Sequence, residues 1–274
     1  MDLGEVQALL IDDTRSVMSS LVALTPIATK AQALRDLCRL FQGVGICRLL
    51  VDADLPKFRE NLVRSAQTRR YHLRHAHAEA ALDDRFLGLS RVDAIFDGIV
   101  AGADDLVREI VALSVEQWHE GWEYEDDHCY YLFFHRLATQ SGFAVSAEAP
   151  ALLKRFEQVL DGQVSPRRDL CQAIVDQHPE HFHDALEAFL AQRKAMLDEQ
   201  RICITEYTAQ ALFWPQSFVS IEALAWLRLT ESLGFPMLDE FMFCPREARA
   251  RGTPPEGIED LLDSLDTALA TPEV

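Results

Sequence analysis

An all-α fold is predicted by three observations. Apolar residues recur at intervals of three and four along nearly the whole chain, capping residues and prolines stand where the stripes begin, and glycines stand where they stop. Strand-like alternation is confined to faint candidates at 202–205 and 237–243. The expected architecture is a multi-helix bundle or an irregular α-solenoid-like array of helical hairpins. With 274 residues it can bury a large core, as a single domain or as two packed halves, about 1–142 and 143–274.

Each helix has a local reason. Leu10, Val17 and Leu21 make the stripe of a first helix; Leu34, Leu37, Cys38 and Phe41 make a second, which Gly43 and Gly45 are expected to end. Asp54 is placed to cap a third, because its carboxylate can accept from a free first-turn amide and Pro56 needs no helical donor there. Phe58, Leu62 and Ala66 form its inner face. The 85–101 segment spaces Phe86, Leu89, Ile95, Phe96 and Ile99 at helical intervals, and Leu106, Ile110 and Leu113 follow on a short helix. Cys129, Leu132, Phe133 and Leu137 mark a helix stopped by Gly142, and Leu152, Phe156 and Leu160 mark another before Gly162. Leu170, Ile174 and Val175 precede a long helix opened by Pro179, with Phe182, Leu186, Phe189 and Leu190 on one side. Ser220 caps an almost wholly apolar segment, Ile221 to Leu233, closed by Gly234 and Pro236; a helix apolar on most sides belongs at the centre of a core. The passages DADLPKFRENLVRSAQTRR and DQHPEHFHDALEAFLAQRK share a helix-opening Pro, a following Phe and a Leu four residues later, either as related halves or because amphipathic helices resemble one another. No fixed repeat period is sustained.

The net charge of −18 is unevenly distributed. Residues 83–127 hold thirteen carboxylates against three arginines, and the chain after Gly252 has six carboxylates and no Lys or Arg. Residues 53–82 are mildly basic, through Lys57, Arg59, Arg64, Arg69, Arg70 and Arg74. Acidic excess argues against nucleic acid as a partner, because phosphates would be repelled. It suits either plain solubility or steering toward a basic protein. Six scattered cysteines without a C-x-x-C pair read as reduced, mostly buried thiols of a cytosolic protein. An acidic start without an apolar block gives no signal peptide, and no apolar run is long enough to span a membrane.

The densest functional signal is EQWHEGWEYEDDHCYYLFFHRLA, residues 116–138. Its first half interleaves Glu116, Glu120, Glu123, Glu125, Asp126 and Asp127 with Trp118, Trp122 and Tyr124. Carboxylates draw a basic partner, and Trp and Tyr bury much area at little entropic cost, so these nine residues are the candidate partner-binding surface. The aromatics can equally fold back as lids over the core.

Three histidine groups invite a metal reading: His72, His75 and His77; His178, His181 and His183; His119, His128 and His135. Only His72/His75 and His178/His181 have the spacing that aims two imidazoles from one helix face, the first among arginines and the second at a helix start. His119 with Glu123, and Glu116 with Glu120, share i,i+4 spacing, but Gly121 interrupts any helix there. Solvated helix faces are the expected account, with no metal site. Nucleophile elbow, P-loop and dinucleotide-binding signatures are absent, so no catalytic residue is expected.

Three passages together resemble the bacterial immunity protein 49 family, a helical group of cognate inhibitors in polymorphic toxin systems. They are WEYEDDHCYYLFFHRLA, FHDALEAFLAQRKAMLDEQ and VSIEALAWLRLTESLGFPMLDEFMFCP, and they lie in the C-terminal 60 per cent or so of the chain. The resemblance implies a cytoplasmic antitoxin that binds and blocks a toxin domain, without catalytic residues or cofactor. An acidic surface then suggests a basic toxin, such as one acting on nucleic acid through a cationic cleft. The alternative is a helical adaptor or regulatory scaffold with no toxin partner.

Overall fold

A computed structural model describes residues 2–21, 26–204, 207–238, 240–250, 252, 254 and 257–264. Among the described residues the chain is all-α, with twelve α-helices, three 3-10 turns and no strand. The helices are α1 (Leu3–Leu21), α2 (Ile27–Asp52), α3 (Leu55–Ala78), α4 (Ala94–Ala101), α5 (Asp104–Leu113), α6 (Glu125–Thr139), α7 (Glu148–Leu160), α8 (Pro166–Val175), α9 (Pro179–Cys203), α10 (Tyr207–Gln216), α11 (Ile221–Ser232) and α12 (Arg246–Arg249). A two-residue link folds α2 and α3 into a tight hairpin, with α1 and α10 on the other side of α2. On the far side of α3 lie α4 and α5; α4 also meets α11, while α6 packs on α5, α7 and α8, and α8 pairs with α9. The short helix α12 rests on α11.

The helix starts follow the sequence signals. Asp54 accepts from the Lys57 amide at 2.9 Å, and Ser220 caps α11 by accepting from the Ala223 amide at 3.3 Å. Ser165 does the same for α8. At α9 the cap is His178, whose Nδ1 accepts from the His181 amide at 3.2 Å while the two imidazoles stack.

Two expectations are corrected. Gly43 and Gly45 do not end α2, which runs unbroken to Asp52. They are close-approach positions instead: a Cβ on Gly43 would stand 3.1 Å from Leu10 Cδ1, and one on Gly45 would stand 3.1 Å from the Phe58 carbonyl oxygen and 3.2 Å from Asn61 Cβ. The glycines let α1 and α3 press against α2 from two sides, which outweighs their poor helix propensity. Secondly, 85–101 is helical only from Ala94 onward; 3-10 turns at Arg85–Leu87 and Leu89–Arg91 come first. Of the faint strand candidates, Ile202 and Cys203 close α9 and Met237, Leu238 and 240–243 are irregular, while Thr205 and Asp239 fall outside the described residues.

One main core draws on residues from α2 to α12, centred on Phe58, Phe96, Tyr130, Phe133, Phe134, Phe182 and Trp226. Trp226 on α11 is fully buried, as the apolar pattern of that helix predicts. A smaller cluster under α1, α2 and α3 is closed by Leu262, beside which Asp260 and Asp263 pair with Arg70 and Arg74. None of the described helices is long and apolar enough to cross a membrane.

Because the α2–α3 contact at Gly45 is backbone against backbone, Gly45→Val should lower stability by about 2 kcal/mol, the usual range for overpacking. A urea midpoint equal to that of the parent protein would contradict this close approach.

Candidate functional site

The ribbon before α6 is not helical, so the i,i+4 alignments of Glu116 with Glu120 and of His119 with Glu123 do not form. Gly121 has φ +85°, a left-handed conformation that breaks the segment where the sequence suggests. Trp118 is half-buried and donates from Nε1 to the Glu123 carbonyl at 3.2 Å. Trp122 packs on the main core and carries His119 stacked on its outer face, with ring centroids 4.1 Å apart. Tyr124 projects outward and is 79% exposed. Two of the three ring systems therefore act as lids, and one is available for contact.

The carboxylates divide as well. Glu116 pairs with Arg136 at 2.7 Å, Glu125 with Arg155 at 2.8 Å and Asp127 with Arg167 at 2.9 Å. Among the described residues Glu120 and Asp126 have no hydrogen-bond or ion-pair partner. Glu123 is not on the surface: it is 7% exposed, and its carboxylate accepts from the Leu89 amide at 3.2 Å, the Ser90 amide at 2.7 Å and His128 Nδ1 at 3.0 Å. It thereby fills free donors at the start of the Leu89–Arg91 turn, where negative charge is favoured. Burial pushes this acid up, but the bonds from His128 and Ser90 outweigh it and hold the carboxyl at about 2.

Behind this clamp lies Arg69, itself buried, which donates to the carbonyls of Phe86 at 2.7 Å and Leu87 at 3.0 Å. Burial lowers its guanidinium to about 10, so it stays charged at neutral pH. His72, expected on a solvated helix face, is instead buried, as is His135, and burial, reinforced by Arg69, pushes each imidazole down to about 3. They are neutral packing groups facing a fixed cation, a poor setting for a metal ion. Elsewhere His77 Nε2 lies 2.9 Å from the Leu113 carbonyl and His183 Nε2 lies 3.0 Å from that of Pro236. Among the described residues no three His, Cys, Asp or Glu side chains are grouped to hold an ion. Five cysteines are buried free thiols and Cys203 is exposed.

Beside the ribbon, the first turn of α6 forms one wall of a groove of about 380 Å³. Asp126 and Asp127 line it with Phe156 of α7, Arg167 of α8, Phe189 and Met196 of α9 and Glu222 of α11. Arg167 grips Glu222 through two bonds of 3.0 and 3.1 Å and lies 4.7 Å over the Tyr130 ring. Tyr130 donates to Glu222 at 2.7 Å and accepts from Trp226 Nε1 at 2.7 Å. No single sequence signal points to this groove, because its walls come from five helices, spread over residues 126–222.

Fold and surface thus describe an all-helical protein with a large apolar core and a charged, aromatic-bearing ribbon beside a groove. The family model described as Immunity protein 49 matches residues 51–248, and the chain belongs to that family. The match begins well before Trp122, so it takes in the basic helix α3 as well as the three passages that carry the resemblance. Those passages meet in space: they supply Asp127 and Tyr130, Phe189 and Met196, and Glu222 and Trp226. No curated protein and no solved structure matches the chain.

The Glu123 clamp has a pH signature. A carboxyl held below its unfolded value of 4.5 stabilises the fold fully above that value, and the contribution is lost as pH falls toward about 2. Glu123→Gln should cost up to about 3 kcal/mol at pH 7, with the deficit shrinking between pH 4.5 and 2. Urea melts across that range test it; a deficit independent of pH would show that the charge of Glu123 is not what holds the ribbon.

Proposed function

We propose that this protein is a stoichiometric inhibitor that binds a cognate toxin and blocks it, protecting its own cell from an effector delivered by kin or neighbours. Membership of the immunity protein 49 family supports the inhibitor reading. The observation that carries the contact surface is Tyr124, 79% exposed between the unpartnered carboxylates of Glu120 and Asp126, on a ribbon pinned from behind. Glu116, Glu125 and Asp127 add charge moderated by their arginines, Trp118 and Trp122 give the ribbon its stiffness, and Glu123 anchors it from inside. The action is by binding alone, in the cytoplasm, with no catalytic step and no cofactor. The toxin is basic where it meets this surface; one that cleaves or modifies nucleic acid needs a cationic cleft, and an acidic ribbon competes there with phosphates.

Association should therefore be fast and salt-sensitive. The on-rate for the cognate toxin, sought as the product of the neighbouring gene, should fall at least about tenfold from low to high ionic strength, and Glu120→Gln with Asp126→Asn should reduce that dependence. An on-rate indifferent to both would refute the electrostatic surface. Failure of the two proteins to co-purify, together with failure to rescue growth, would refute the inhibitor reading itself.

A further inference from the structure

We infer that the groove at the first turn of α6 receives one arginine or lysine side chain of the toxin, and that this anchor sets the register of the complex. The inference rests on the inhibitor reading above and names the chemistry of the contact. About 380 Å³ admits a long side chain with some water but no folded element. Phe156, Phe189 and Met196 provide apolar walls against which the aliphatic stem of a basic residue can lie.

The charges in the groove select the guest. Asp126, Asp127 and Glu222 converge on it, and Arg167 is already bonded to both Glu222 and Asp127. The second arginine of the lining, Arg193, turns its guanidinium to the Gln216 carbonyl at 2.6 Å. Asp126 thus remains an uncompensated carboxylate at the mouth, with no partner among the described residues. Burial raises the Asp127 acid in spite of Arg167, and Asp126 and Glu222 raise it further, so these carboxylates crowd one another. An incoming cation relieves that crowding, whereas an acidic side chain would intensify it. Exposed apolar groups lie in the lining or next to it in sequence: Met196 in the lining, Tyr124 two residues before Asp126, and Val164 next to Ser165. A partner covering them would exclude water from the ion contact, which is how interface anchors gain strength.

The test uses this protein and its cognate toxin, sought as the product of the neighbouring gene. Dissociation rates are measured for Asp126→Asn, Asp126→Lys and, as a control on the same ribbon, Glu120→Lys, with thermal melts confirming that each variant is folded. Asp126→Asn should speed dissociation about tenfold and Asp126→Lys about a hundredfold, while Glu120→Lys should act mainly on association. Replacing each basic residue of the toxin in turn by Met should show one whose loss cancels the effect of Asp126→Asn. If the toxin binds but neither substitution at 126 changes dissociation, or no toxin residue couples to it, the groove contact is wrong and the inhibitor reading stands. Tighter binding by Asp126→Lys would mean an acidic guest and would overturn the proposal. Absence of any binding and of growth rescue removes both readings.

Discussion

Arg167 stands where α6, α8 and α11 meet, stacked on Tyr130, gripping Glu222 with two nitrogens and bonded to Asp127 with a third. Burial alone would weaken this guanidinium as a base, but Glu222 and the two tyrosines hold it well above its usual range. The charge is therefore permanent, and the rest of the site is arranged around it. Trp226, fully buried, finds its acceptor in the Tyr130 hydroxyl, and that hydroxyl gives its own proton to Glu222. A half-buried ion pair of this kind adds little net stability over apolar packing, yet losing one member leaves an uncompensated charge in a partly desolvated place. Its effect is to fix one relative placement of three helices that greasy side chains alone would leave free to slide. The turn of α6 that carries Asp126 and Asp127 inherits that placement.

Much of the uneven charge along the sequence is resolved inside the molecule. The basic residues of α3 meet acidic ones brought from afar: Arg70 bonds Glu109 and Asp260, and Arg74 pairs with Asp263. Three of the six carboxylates of the ribbon likewise hold arginines of this same chain, and a fourth is buried. Net charge measures the long-range field that a partner feels, but it overstates the number of groups left to contact it. At close range the ribbon offers two unpartnered carboxylates and one exposed ring.

The fold class was legible because helical stripes and caps are local signals: Asp54 and Ser220 cap the helices whose starts their positions predict, and the apolar run around Trp226 is central. What sequence could not decide was the meaning of residues whose partners are distant. Glycine ends a helix or permits another to approach it, and only the position of Phe58 and Asn61 assigns Gly45 to the second case. Glu123 looks like its acidic neighbours; its partners at Leu89 and Ser90 lie more than thirty residues away, and nothing local foretells them. The groove is harder still, since it exists only once five helices have assembled. Spacing and polarity suggest a solvated helix face for His72, yet it is buried, and burial beside Arg69 keeps both it and His135 neutral; nothing local in the sequence foretells Arg69 as a neighbour of His135.

A ribbon without helical hydrogen bonds would ordinarily be a costly surface to bind with, because ordering it on contact consumes entropy. Here that ordering is already complete. Glu123 ties the ribbon inward to the 89–91 turn, Trp118 bonds back to the Glu123 carbonyl, Trp122 is packed on the core, and Glu125 begins a helix held by Arg155 and, one turn on, by the Tyr130 network. Tyr124 falls between these anchors: its carbonyl accepts from the His128 amide, and its ring is used by none of them. The interior therefore does for the surface what the surface cannot do for itself. A short irregular segment is tied down at several points that hold its exposed ring and flanking carboxylates in place, and on the proposed reading a binding partner need not supply the free energy to order them.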